Sequence, residues 1–511
     1  MSKIIAEGSE HFEKTIEAMG IAARLTSQTL GPNGKNVVLD RGFSVPIVSN
    51  DGVSVLRAIE FDDDVMRMGL ELIKEVAIKT NEMAGDGTTT ATTLAYALVE
   101  EGRKYPGNPM ELKYSLDRAG IKVVQELKKM ARPLKGNDEI LKVATISAES
   151  EQIGQIITDT IKAIGKDGVI SVEESKLSDI ESKIVEGYEL EKGYASHFMA
   201  NKGNKAEYKN VPVLVIGDKI SAITELLPFL QKLSTSSKEL VIFCTEAEQP
   251  VIETFVMNKT TGMFNGLVIK CPSQKNEILQ DVAIVTGATF ISKEAGYKLE
   301  EMDEKVLGKA ERITATKDKT IILNGAGSVK KTVKALKKEL PTITNDNDYD
   351  LVEKRIARLS GGVAVISVGA KTEQEMRYLY YKVEDAVNAT KSAIEEGIVE
   401  GGGMALYRIS KNLDDTNLGE RILKKALTAP LRKIIENGGK DYTEVLLDMP
   451  KGMGYNAKSN EYEDLIKTGV IDPVKVERCC VENAVSFAGI FLTSTSTIAL
   501  KRSEGKDKLD G

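Results

Sequence analysis

Tryptophan is absent from the 511 residues, and histidine occurs only as His11 and His197. Two histidines so far apart exclude a three-histidine metal site within one chain and the two-histidine helical zinc motif. The four cysteines, Cys244, Cys271 and the adjacent Cys479 and Cys480, show no CxxC spacing. Vicinal cysteines rarely bridge, so reduced thiols in a cytoplasmic setting are expected. No stretch reaches about 18 apolar residues without charge, so no membrane span and no membrane partner are expected. Residues 1–8 are too short in apolar run for a signal peptide and too acidic downstream for a transit peptide. There is no Walker phosphate loop and no GxGxxG, so any nucleotide must be held by another architecture. A basic excess is missing too: 69 Lys and Arg against 76 Asp and Glu leave a formal charge of −7. That balance speaks against nucleic acid as a partner.

What is present is an ordinary globular balance, 41% hydrophobic and 28% charged, over a length that predicts about three units. Phe12, Ile16, Met19, Ala23 and Leu25 keep near-helical spacing between 10 and 30, and residues 36–40 and 45–48 read as strands about a turn at Arg41-Gly42. Helices are expected near 64–83, 89–103 and 109–130. A breaker-rich stretch at 132–137 marks a change. Beyond Gly187, strands at 213–216, 240–243 and 267–269 alternate with helices near 222–234, 248–260 and 275–287, which predicts an open α/β domain to about 360. Helices dominate again from 372, so a domain inserted within another is the simplest account. The polar tail 503–511 has no apolar period and is expected to be disordered.

The sharpest local signal is Gly85-Asp86-Gly87-Thr88-Thr89-Thr90 running into a helix. Small residues let backbone approach a ligand, the helix N-terminus favours anions, and Asp86 can hold a hard cation. A plain Thr-rich helix start is the competing reading. Taken singly, Thr29-Leu30-Gly31-Pro32 reads as a helix stop and Asp51-Gly52 as a hairpin turn.

Together these words resemble something definite. The segments 29–32, 36–40, 51–55 and 84–92 stand in one order with Val383-Glu384-Asp385-Ala386, with 396–403, with Gly454-Tyr455-Asn456-Ala457 and with Ile471-Asp472-Pro473. Over residues 3–500 the chain resembles a group I chaperonin of the GroEL type, more loosely in its middle third. The resemblance implies a multidomain α/β, GroEL-like three-domain subunit. Its parts would be a mainly helical equatorial ATP-binding domain (1–131 and 396–511), a small α+β intermediate hinge domain (132–186 and 364–395) and an inserted α/β apical domain (187–363). Gly187 and Gly361-Gly362 would form the upper hinge, and Pro133 with Gly401–Gly403 would lie near the lower one.

The resemblance also implies roles. Thr29, Leu30, Gly31, Pro32, Gly87, Thr88, Thr89, Thr90, Gly402, Asn456, Ala457 and Asp472 would bind nucleotide, with Asp472 on the ribose. Asp86 would ligate Mg²⁺, Asp385 would orient the attacking water, and Asp51 would face it; ATP, Mg²⁺ and K⁺ are the implied cofactors. Tyr194, Phe198, Met199, Leu227, Leu230, Ile252, Val256 and Met257 would form an apolar face for non-native polypeptides and a co-chaperonin lid. By spacing alone those residues are core stripes.

The implied function is an ATPase that folds captured chains inside a homo-oligomeric ring of seven, single or double. A holdase with weak hydrolysis and a small-molecule phosphotransferase are the rivals. Asn50 stands where the family usually has Lys, which predicts weaker nucleotide binding. The stretch 271–277 is more polar and less Gly-rich than the family pattern. Lys330, Lys331, Lys334, Lys337 and Lys338 line one helix face, read as a solvated surface because aromatic residues do not interleave.

Overall fold

The last helix of the chain packs among the first ones. In the computed structural model Val474–Phe491 lies against Asp64–Ala84, Thr88–Gly102 and Pro109–Met130, and Gly8–Ser27 joins them. Met19, Leu70, Ile73, Leu94, Leu98 and Leu116 are fully buried in their shared core. The structure describes residues 3–501 apart from 42–43, 166–167, 176, 273–276, 300–301, 341–348, 350–351, 353–354, 357 and 360–361. Part of the Arg41-Gly42 turn, Gly361, the 273–276 stretch and the polar tail therefore lie outside the described residues.

Local chemistry sets these helix ends. Asp63 accepts from the backbone N–H of Val65 and Met66 at 2.8 and 3.0 Å, and Asn108 caps a helix that opens with Pro109. These are the expected uses of Asp, Asn and Pro at helix starts.

The chain forms two compact units. One comprises Met1–Lys162, Val172–Glu181 and Ser367–Gly511; the other comprises Ala163–Ser171 and Ser182–Ile366. In the first unit both ends also meet as strands, Lys3–Glu7 pairing antiparallel with Ser496–Leu500. His11 is buried beneath them, its ring nitrogens 2.6 Å from Thr497 Oγ1 and 2.8 Å from Ser494 Oγ. Further short strands, Ile398–Glu400 with Ile471–Pro473 and Gly454–Asn456 with Glu461–Glu463, interrupt the helical text. Three residues are too few to show a period of two, so the sequence carried no signal for them. Where 131–133 and 396–398 cross, Arg132 and Ile398 exchange backbone hydrogen bonds of 3.1 and 2.9 Å. Gly397 turns there with φ +84°, and a Cβ would meet the Arg132 carbonyl oxygen at 2.5 Å.

The second unit holds a mixed sheet. Ala206–Ile220, Glu239–Ala247 and Asn265–Lys270 run parallel, joined through helices that include Gln249–Thr260, as parallel neighbours require. On the other side Gly308–Ala315, Thr320–Gly325 and the part of the strand Ile180–Leu190 from Gly187 to Leu190 add antiparallel pairing, an extension that the reading of a simple β-α rhythm did not include. Gly187 lies within the last of these strands opposite Leu323. A Cβ there would meet Val363 Cβ at 2.8 Å, so close packing asks for glycine at that position. On Lys330–Glu339 all five lysines are exposed, while Leu336 is buried and Val329, Val333 and Leu340 pack on the core. No helix among the described residues is long and apolar enough to cross a membrane.

Candidate functional site

Two helix starts meet in the first unit. Asp51, expected in a hairpin turn, instead caps a helix, Gly52–Ala58, accepting from Val53 N at 3.3 Å and Ser54 N at 2.8 Å. Beside it begins Thr88–Gly102, whose N-cap Gly87 has φ +87°. The approach is close: a Cβ on Gly52 would lie 2.5 Å from Thr89 Oγ1 and 2.8 Å from Thr88 Oγ1. The first turn of Gly52–Ala58 is satisfied by Asp51, whereas no side chain caps the first turn of Thr88–Gly102. The N–H groups that open beside Asp51 are therefore those of the threonine helix, an arrangement that suits phosphate.

Asp385 reaches this region on the helix Glu373–Glu396. That helix is tied to the segment before Asp86: Ser392 Oγ donates to the Ala84 carbonyl at 3.0 Å. A Cβ on Gly85 would lie 2.5 Å from Asn388 Cγ. The carboxyl of Asp385 is pushed well above its ordinary range, first by burial and then by Asp86, Asp51 and Glu384. Asp86 is raised by burial and by Asp51, with its bond from the Gly87 N–H, Lys382 and Ser147 acting the other way. Such a raised set of acids is the signature of negative charge held without enough counter-charge. Among the described residues no three His, Cys, Asp or Glu side chains could hold a metal ion by themselves. An ion held by one or two carboxylates and completed by phosphate oxygens and water needs no such cage. The site fits Mg²⁺ on those terms.

The loop 29–33 sits against other segments expected to bind nucleotide. Asn437 Nδ2 donates to the Ser27 and Leu30 carbonyls, each at 2.9 Å. Asn33 Nδ2 donates to the Ala457 carbonyl at 2.7 Å, so 29–32 and 456–457 come together. Asn456 is itself engaged, donating to Glu463 and accepting from Lys458 N at 2.9 Å. Gly31 and Gly402 have φ +81° and +65°. Gly402 N donates to Asp472 Oδ2 at 3.0 Å. Asp472 is raised to about 6 by burial and then by Asp86, which links this end to the acidic group.

Lys382, Ser147 and Glu477 also act on this cluster, and no sequence motif singled them out. Lys382 stands three residues before Asp385, and pairs with Glu149 at 2.5 Å. Only tertiary packing gives them their place.

A family model described as the TCP-1/cpn60 chaperonin family matches residues 22–502. The chain belongs to that family. Solved structures of chaperonin gp146 from the bacteriophage EL 2 (Pseudomonas aeruginosa), obtained in the presence of ATP-BeFx, share the chaperonin fold. Crystal form II aligns with a TM-score of 0.68 at 21% identity, covering 97% of this chain and 99% of gp146. Crystal form I gives 0.63 at 20% identity, covering 98% and 99%. The multidomain α/β expectation holds for this chaperonin.

The expected apolar face lies in the second unit, and it needs correction. Phe198, Met257 and Leu227 are exposed at 74%, 67% and 44%, while Tyr194, Leu230 and Val256 are half-buried against the core. Met199 and Ile252 are buried outright at 0% and 2%, so neither can touch a captured chain. Met199 turns inward to put its sulfur 3.5 Å from Val268 N. Ile252 shares the inward face of its helix with Val251 and Phe255. Met263, exposed at 66% just after that helix, was not among the residues the resemblance implied.

Proposed function

We propose that this chaperonin is an ATP-dependent folding machine that captures non-native chains on the second unit and hydrolyses ATP in the first. The observation that carries this reading is Asp385 held beside Asp51 and Asp86 where two helix N-termini converge. Backbone N–H groups in the uncapped first turn of Thr88–Gly102 would take the phosphate oxygens. The loop 29–32 with Gly402, Asn456 and Ala457 would hold the nucleoside, and Asp472 would accept from the ribose hydroxyls. Asp86 would hold Mg²⁺, which when bound supplies neutralising charge to the β- and γ-phosphates. Asp385 would accept a hydrogen bond from the attacking water and orient it in line with the γ-phosphorus, Asp51 facing it from the opposite helix start.

Phe198, Met257, Met263 and Leu227 supply exposed, adaptable apolar surface suited to unfolded chains of many sequences, and to the apolar loop of a lid. The proposal keeps the equatorial, intermediate and apical division expected above, and a homo-oligomeric ring in the cytoplasm. Apolar Ile5, Ile498 and Leu500 on the terminal strand pair, with Val38 and Val48 on the early hairpin, are exposed and support association of copies. ATP can change client release only by favouring one conformation over another.

The test is refolding of a denatured client with ATP or a non-hydrolysable analogue. Recovery of client activity with ATP alone supports the cycle. Equal recovery with both makes the chain a holdase, and a phosphorylated small-molecule product makes it a phosphotransferase.

A further inference from the structure

Glu477 is a carboxyl where none is needed for packing. It occupies the first turn of Val474–Phe491, is 5% exposed, and its Oε2 has no hydrogen-bond partner. Its side chain is hydrogen-bonded to that of Asp472. Two carboxyls can bond only by sharing a proton. Asp472 already accepts from the backbone N–H of Gly402 and Gly403, and a Cβ on Gly401 would lie 3.0 Å from its Oδ1. One turn on from Glu477, Cys480 Sγ lies 3.2 Å from the Gly87 carbonyl oxygen. The same helix turn thus backs both the acid at one end of the site and the glycine loop at the other.

We propose that Glu477 is a positioning residue for the sugar of the bound nucleotide: from behind, its carboxyl holds Asp472 by the shared proton and fixes where that carboxylate meets the ribose hydroxyls. This rests on the nucleotide reading given above. Burial first, and then the neighbouring Asp472 and Asp86, raise Glu477 well above the ordinary range, so a proton is held between the two carboxyls. The unpartnered Oε2, turned from water, is a cost that a purely structural side chain of this size would avoid.

The experiment is calorimetric titration of the full-length protein with Mg-ATP and with its 2′-deoxy analogue, for the natural chain, Glu477→Gln and Glu477→Leu. Preference for ATP in the natural chain, retained within about twofold by Gln, whose amide still donates, and reduced about tenfold by Leu supports the proposal. Glu477→Ala is the second loss variant if Glu477→Leu does not fold, read by the same ratio. Undiminished preference in the loss variant overturns the positioning role while the nucleotide reading stands. Equal binding of both nucleotides by the natural chain overturns it too, and absence of any ATP binding removes both readings together.

Discussion

Ser392 Oγ donates a 3.0 Å hydrogen bond to the carbonyl of Ala84, 308 positions earlier in the chain. That bond joins the helix carrying Asp385 to the loop carrying Asp86, and it explains why two acids remote in sequence act on one another. The first prediction concerns them. Asp385→Ala keeps nucleotide affinity and lowers turnover about 100-fold or more, the usual loss for a group that positions the attacking water. Phosphate release beside calorimetric binding checks it; undiminished release removes Asp385 from the mechanism.

The raised acids also predict a pH dependence. Asp86, Asp385 and Asp472 bind protons more tightly folded than unfolded, so their contribution favours the fold at low pH and is lost as pH rises. For Asp472 the window runs from about 4, the ordinary carboxylate value, to about 6. Asp385→Asn removes part of this effect. The urea midpoint of the natural chain, without nucleotide, should therefore fall more between pH 5 and pH 7 than that of the variant. Parallel midpoints in the two proteins would contradict the assignment.

Gly87 has φ +87°, and a Cβ there would lie 2.7 Å from Cys480 Sγ and from Val476 Cγ1. Gly87→Ala is expected to cost about 2 kcal/mol or more through backbone strain and overpacking, with loss of ATP binding at temperatures where the fold persists. Chemical denaturation and calorimetry together measure both.

The corrected apolar face separates surface from core. Phe198→Ser and Met257→Ser should leave stability within about 0.5 kcal/mol and weaken capture of a denatured client. Ile252→Ala and Met199→Ala, at buried sites, should each cost about 2–5 kcal/mol. Capture unchanged in the double surface variant would move the client site elsewhere.

Asn50→Lys should tighten ATP binding by adding a cation near the phosphates. Unchanged affinity in titration calorimetry would show that the amide already suffices.

Much of the site was legible because it is written in local words. Gly85-Asp86-Gly87 followed by threonines announces a helix start with an open approach, and the helix bears that out. Asp51-Gly52 was misread as a hairpin turn, because an Asp that caps a helix and an Asp in a turn look alike until the next residues wind. Lys382, Ser147 and Glu477 stayed hidden. Lys382 and Glu477 lie within five residues of an acid they act on, but a lone Lys or Glu on a helix reads as solvated surface until packing buries it beside the acids, and Ser147 acts on Asp86 from far along the chain. Met199 and Ile252 were placed on an exposed face by the family resemblance, while their spacing alone read as core; burial at 0% and 2% sides with the spacing.

The sequence by itself determined the family and most of the long helices, since these rest on residue type and short spacing. Tertiary structure alone decided that Asp51, Asp86, Asp385, Asp472 and Glu477 crowd together, and which apolar side chains stay in water. Burial and charge repulsion depend on distances across the fold, and nothing in the order of residues measures those.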